Sequence, residues 1–311
     1  MADDLHAPGR LAASAARRRL TVILNGGAGT GHDGAAAEQV RGLFAQAGAR
    51  AELVLARDGD DLARHARQAL AGGADAVVAG GGDGTLNAVA AVLAGTGVPF
   101  GILPLGTLNH FAKDLGIPLV LEDAVRTVLQ GQLRRVDVGE VNGRIFLNNS
   151  SLGLYPDMVR ERERQQRRLG RGKWTAALWA SLAALRRYPF LSVRLKVEDA
   201  EHARRTPFVF IGNNAYLMQG LSIGARARLD EGKLSVYVAQ HPTRLSLLRF
   251  ALRALCGKLA QARDFDVLLV ENMDIHTRHR RLRVATDGEL AVLATPLAYR
   301  IRPGALAVIV P

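Results

Sequence analysis

From Leu20 onward the chain alternates short apolar runs with stretches of helical spacing. LTVIL (20–24), AELVLA (51–56), DAVVA (75–79) and VPFGIL (98–103) read as strands. Between them, residues 35–47, 60–70 and 85–94 repeat apolar positions three and four apart, with Val40, Leu43 and Phe44 on one face, and another helix is predicted at 121–129. This alternation predicts βαβ units, hence a doubly wound parallel sheet in an α/β domain. Right-handed crossovers put the loops that follow its strands along one sheet edge, where ligands bind.

After about Arg135 the rhythm changes. RVDVGEVNG (135–143) and RIFLNNSSLG (144–153) read as two strands around an Asn-Gly hairpin turn. Strand-like runs recur at 190–198, 207–214, 233–239, 265–271, 281–286 and 305–310, interrupted by two helical stretches near 157–187 and 243–262. The expectation is a β-rich second domain, an antiparallel sandwich or barrel. The predicted organisation is a disordered tail at 1–18, an α/β domain at 19–134 and a β-rich domain at 135–311.

Composition narrows the classes. The chain has 311 residues, 48% of them hydrophobic and 5% aromatic. Arginine interrupts every apolar stretch, so no run of about 18 apolar residues exists to form a membrane span. Cys256 is the single cysteine, which excludes an intramolecular disulfide and fits a reducing compartment. Residues 1–18 lack the apolar core of a secretory leader, and a cytoplasmic protein is expected. The net charge of +12 suits a nucleic-acid or membrane partner. Few aromatics leave few stacking platforms, and no DNA-binding motif is present, so nucleic acid is not the expected partner.

Four segments carry chemistry. AGGGDGTLN (79–87) follows a strand and opens a helix. Its glycines let the backbone approach a ligand, and the helix N-terminus favours an anion. Asp83 beside a phosphate needs a cation between them, so it reads as a Mg²⁺ handle. LPLGTLNHFAKDLGIP (103–118) follows the next strand and offers Gly106, Thr107 and Asn109 to a nucleotide. NGGAGTG (25–31) is a third loop on the same edge. The GxGxxG at Gly29, Gly31 and Gly34 starts several residues past its strand, so it fails the dinucleotide-binding context. VATDGEL (284–290) presents Asp287 and Glu289; it reads either as an Asp-Gly hairpin turn or as a carboxylate able to take a proton from a hydroxyl attacking phosphorus.

GGDGT at 81–85, PLGTLNHFA at 104–112, VDVG at 136–139, FLNNSSLG at 146–153 and DGE at 287–289, in this order, resemble the bacterial diacylglycerol-kinase-type lipid kinases, whose superfamily includes sphingosine and ceramide kinases. The resemblance implies an N-terminal ATP-binding domain, a C-terminal lipid-binding domain with the active site in the cleft between them, and a last strand that returns to the first domain. It implies ATP and Mg²⁺ as cofactors, with Asn25, Gly81, Gly82, Asp83, Gly84, Thr85, Gly106, Thr107 and Asn109 around the nucleotide. Asp137 joins Asp83 in a Mg²⁺ network, and Asp287 is the general base with Glu289 close to it. Asp230 and Glu231 are candidates for a second, structural Mg²⁺. Three positions depart from the family pattern: Gly26 in place of proline, His110 in place of an acid, and Arg228 where another acid is common.

The basic segments 160–173 and 244–263 each carry a net charge of +5, and Trp174 and Trp179 lie beside the first. Such helices suit an anionic membrane surface, or else pack their apolar faces on the second domain. The function these features imply is phosphorylation of a lipid hydroxyl, diacylglycerol or a relative, by a peripheral protein at the inner membrane face; a homodimer stays open. The alternatives are NAD-kinase-like phosphorylation of a soluble nucleotide and a catalytically weak ATP- and membrane-binding regulator.

Overall fold

The chain enters its first sheet at β1 (Leu20–Asn25) and continues through α1 (Asp33–Gln46), β2 (Ala51–Ala56), α2 (Gly59–Ala71), β3 (Ala76–Gly81), α3 (Asp83–Leu93), β4 (Phe100–Pro104), α4 (His110–Asp114), α5 (Leu121–Gln130) and β5 (Gln132–Val141). This computed structural model describes residues 19–26, 33–153, 191–197, 200–219, 222–226, 228–239 and 265–311. The tail, Gly29 and Gly31, both basic helical segments and Cys256 lie outside the described residues.

Strand β3 and strand β4 are buried along their whole length and β1 nearly so, as their unbroken apolar runs require of parallel strands covered on both faces. The order is β2-β1-β3-β4, all parallel. The closing segment of the chain adds a fifth parallel strand, with Val308 opposite Phe100. The path moves one way from β1 to β2 and back across β1 to β3. Right-handed crossovers therefore set α1 and α2 on opposite faces. Helix α5 packs with α1, and α3 with α2. Asp58 caps α2 by accepting from Asp61 N at 2.9 Å.

The second unit holds β6 (Arg144–Phe146), β7 (Asn149–Gly153), β8 (Leu191–Val197), β9 (Ala200–Thr206), β10 (Phe208–Asn213), β11 (Tyr216–Gln219), β12 (Ser222–Arg226), β13 (Leu234–Ala239), β14 (Phe265–Val270), β15 (Asn272–Thr277), β16 (Arg281–Thr286), β17 (Glu289–Ala294) and the start of β18 (Leu297–Val310). One antiparallel sheet runs β14-β13-β10-β7-β16-β17; the other runs from β18 through β15 and β8 to β9. Val209, Ile211, Val236, Val238, Leu152 and Val284 of the first meet Val193, Leu195, Met273, Ile275, Leu297 and Tyr299 of the second in a single core. This is a β-sandwich. The compact units are the residues up to Val138 with Arg302–Pro311, and Gly139–Ile301. Hence β5 and β18 each begin in one unit and end in the other.

Two sequence expectations change. Helix α3 begins at Asp83 rather than Thr85, because Gly82 takes an extended N-cap conformation (φ −88°, ψ −177°). The run 144–153 is not one strand: β6 pairs with β5 across the Asn142–Gly143 turn, where both residues have positive φ, while β7 lies between β10 and β16. The break falls at Leu147–Asn148, whose amides turn to a carboxylate.

Phe100 is fully buried between Val77 and Val308 on the neighbouring strands. Phe100→Ala is expected to lower stability by about 3–5 kcal/mol, read as a lower denaturation midpoint in urea.

Candidate active site

In the first unit, the order β2-β1-β3 makes the gap between β1 and β3 a switch point, where the chain leaves adjacent strands in opposite directions. Asn25, at the end of β1, donates from Nδ2 to Thr85 Oγ1 at 3.1 Å. Thr85 lies in the first turn of α3, and its side chain covers Gly81 so closely that any Cβ there would collide with it. No side chain caps α3. Its leading amides at Asp83 and Gly84 have no intrahelical acceptor and so are potential anion donors.

The loop after β4 locks against this turn. Leu105 N donates to Gly81 O at 3.1 Å, and a Cβ on Gly106 would strike Gly82 Cα. Buried Asn109 adopts the left-handed conformation (φ 51°). Its Oδ1 accepts from Gly106 N at 3.0 Å, and its Nδ2 donates to Gly106 O at 2.7 Å and Pro104 O at 3.3 Å. Thr107 is exposed on the same turn. The Asp83 carboxylate accepts from His110 N at 3.1 Å and Phe111 N at 3.0 Å, the first amides of α4. His110 thus contributes through its backbone amide.

The other expected metal residues have their own contacts. Asp137 is buried in β5 and accepts from Gly304 N at 2.8 Å. Asp230 pairs with Arg228 at 3.0 Å. Glu231 donates from its backbone to Asn214 Oδ1 at 3.0 Å, and its carboxylate accepts from Ala215 N at 3.4 Å. Among the described residues, no group of three or more His, Cys, Asp or Glu side chains could hold a metal ion.

In the second unit, Asp287 and Gly288 form the two-residue turn between β16 and β17, with φ 47° and 85°. The hairpin-turn reading of the Asp-Gly dipeptide therefore holds, and the turn directs the side chain of Asp287 to the amides at the head of β7. Its Oδ2 accepts from Leu147 N at 2.7 Å, and its Oδ1 from Asn148 N at 2.8 Å and Asn149 N at 3.0 Å. Desolvation pushes its carboxyl up to about 6, against the opposing pull of these three amides and of the Arg226 charge. Glu289 is exposed, 3.8 Å from Arg144 Nη2.

Sequence reasoning missed Arg226, Asn148 and Asn213, which surround this carboxylate's loop. Arg226 Nη2 donates to Asn148 Oδ1 at 2.7 Å, and Asn213 Nδ2 to Leu147 O at 2.8 Å. The Asn-rich run 147–149 was the available signal; Arg226 gave none, since it sits in a charged stretch that reads as solvated.

A switch-point glycine turn on a doubly wound sheet, joined in one chain to a β-sandwich, suits a protein that binds a nucleotide at the sheet edge. Comparison with known proteins agrees. Residues 19–141 match the diacylglycerol kinase catalytic domain, and 156–310 match the YegS C-terminal NAD kinase beta sandwich-like domain. The chain is 31% identical to the "Probable lipid kinase YegS-like" of Chromohalobacter salexigens, over 87% of each chain. It is also 31% identical to a diacylglycerol kinase of Mycobacterium tuberculosis, over 91% of this chain and 92% of the other. A crystal structure of a diacylglycerol kinase from Bacillus anthracis shares the fold, with a TM-score of 0.69 at 20% identity over 94% of this chain and 97% of that one. The chain belongs to the diacylglycerol-kinase-type lipid kinase family, and it is an ATP-using kinase with an alcohol group as acceptor.

Gly106→Ala tests the contact between the two loops. Overpacking against Gly82 is expected to cost about 1–3 kcal/mol and to weaken ATP binding about tenfold. Calorimetric titration with ATP, alongside thermal unfolding, reads both.

Proposed function

We propose that the chain transfers the γ-phosphoryl group of ATP to the hydroxyl of diacylglycerol or a related lipid at a membrane surface. The observation that carries this reading is the Asp287 carboxylate: three consecutive amides fix it in place while burial raises its basicity toward neutral pH. A base near the working pH is what abstraction of a hydroxyl proton needs.

The amides at the start of α3, with Gly81, Gly82, Gly84 and Gly106, bind the phosphates of ATP. Asn25, Thr85, Thr107 and Asn109 shape the surrounding turn. Asp83 supports this assignment chemically: Mg²⁺ commonly takes one or two protein carboxylates and completes its shell with phosphate and water, so it needs no larger acidic cluster. When bound, Mg²⁺ supplies neutralisation of the phosphate charge. Asp137 joins Asp83 in the carboxylate and water network around that cation. Asp287 takes the proton of the lipid hydroxyl as that oxygen bonds to the γ-phosphorus and the bond to the ADP oxygen breaks. Glu289 lends its charge to the same turn. Segments 160–173 and 244–263, by their net positive charge, draw the chain to anionic lipid.

Labelled γ-phosphate is expected to appear in the chloroform-soluble product when the protein acts on vesicles of total lipid extract. Label only in a water-soluble nucleotide points instead to NAD-kinase-like activity, and no transfer points to a regulator. Asp287→Asn should lower kcat by about 10²–10⁴ with ATP affinity unchanged in calorimetry; near-normal turnover would reject the base.

Wild-type kcat should rise with pH below about 6 and level off above it, as Asp287 loses its proton. The stability contribution has the opposite sign. The folded carboxyl titrates higher than its unfolded counterpart near 3.8, so it favours the fold below that value and this stability is lost as pH rises through about 6. Chemical denaturation of the wild type and Asp287→Asn across this window reads the difference.

A further inference from the structure

Arg226 ends β12 and is only 5% exposed. A guanidinium out of water must find acceptors for its five donors. Nη1 donates to Leu147 O at 2.7 Å and to Asn213 O at 3.1 Å, and Nη2 donates to Asn148 Oδ1 at 2.7 Å. The guanidinium carbon lies 5.4 Å from the centre of the Tyr216 ring, within cation–π range. Asn213 Nδ2 adds a second donor to Leu147 O.

Leu147 C=O and Asn148 N–H are the two ends of one planar peptide group. At the carbonyl end this peptide accepts from a cationic guanidinium and from an amide. At the other end its N–H donates to Asp287 Oδ1 at 2.8 Å. Bonds linked in this way polarise one another, by about 10–30% per bond in condensed-phase estimates. A cation on the carbonyl makes the N–H a better donor to an anion, and the rigid fork fixes the plane of the peptide.

We infer that Arg226 is a positioning residue for Asp287, acting through the Leu147–Asn148 peptide to keep that carboxylate ionised and aimed. The inference rests on the proposed role of Asp287 as the base. Arg226 is the charged side chain whose field favours the carboxylate form of Asp287, while burial opposes it. Glu289, on the next strand, is exposed and lies beside Arg144 of β6. Arg226 touches no reacting atom in this scheme; its effect reaches the chemistry through one peptide.

The test reads Asp287 directly. In protein labelled with ¹³C at the aspartate carboxyls, comparison of the wild type with Asp287→Asn assigns the resonance, and a pH titration gives its midpoint. Arg226→Gln removes the charge and should raise that midpoint by about one pH unit. Arg226→Lys keeps the charge but loses the fork, and should raise it by about half as much. The acidic limb of the kcat–pH profile should move by the same amount, with KM for ATP within about twofold of the wild type. An unmoved carbon midpoint in both variants overturns the inference, even if both are less stable, because loss of packing alone would not shift the titration. If Arg226→Gln does not fold, Arg226→Lys alone decides. A carbon midpoint that moves while the kinetic limb stays fixed upholds the role of Arg226 toward Asp287 and rejects Asp287 as the base.

Discussion

The grip of one carboxylate on three successive amides organises the second unit. Asp287 can reach Leu147, Asn148 and Asn149 only if the chain leaves β6 before it begins β7. That departure sends β6 into the hairpin with β5 and β7 into the middle of the six-stranded sheet. Asp287 N in turn donates to Asn149 O at 2.9 Å, so the β16–β17 turn is bound to the head of β7 through backbone as well as side chain. A turn fixed in this way cannot slip in register without releasing all four bonds. The contact that fixes this carboxylate is thus also what separates the strands of the two sheets.

The first unit uses a carboxylate in the same manner with a different outcome. Asp83 accepts the leading amides of α4 and so ties the turn after β3 to the loop after β4. Gly82 and Gly106 permit this, because a methyl group on Gly106 would hold the two backbones apart. Asn109 completes the loop from within, at a left-handed conformation that asparagine tolerates better than most side chains. Asp83 remains partly exposed, so it can meet a cation that arrives with a ligand.

The α/β unit was legible because its signals are local. An apolar run followed by GGGDGT announces a strand, a turn and a helix within a dozen residues, and the order of such units implies the sheet edge they share. Much of the sandwich was not. Strand β9, AEHARRT, has no apolar alternation, and exists because it pairs along its whole length with β8. Strand β17 was not read as a strand, although its pairing with β16 carries the hairpin. Asp287 was legible as a residue type and a motif, but not as a carboxylate held by amides some 140 positions earlier. Asp137 was expected beside a metal; its partner, Gly304 N, lies 167 positions away, and no local pattern could supply it.

Arg226 is the clearest case of a residue whose meaning is set by distant neighbours. In sequence it stands two residues before Arg228 in a stretch of mixed charge; in the fold Arg228 pairs with Asp230 at the surface while Arg226 turns inward. Burying a guanidinium is expensive, and an apolar residue of similar volume often serves stability as well or better. Carbonyl acceptors, the Asn148 amide oxygen and the Tyr216 ring offset that cost at this position. An apolar side chain there would leave Leu147 O with Asn213 as a donor but would take from Asn148 Oδ1 the donor that Arg226 supplies, so the arginine also satisfies buried acceptors. What a cation adds is a field directed along one peptide toward a carboxylate that burial would otherwise hold protonated.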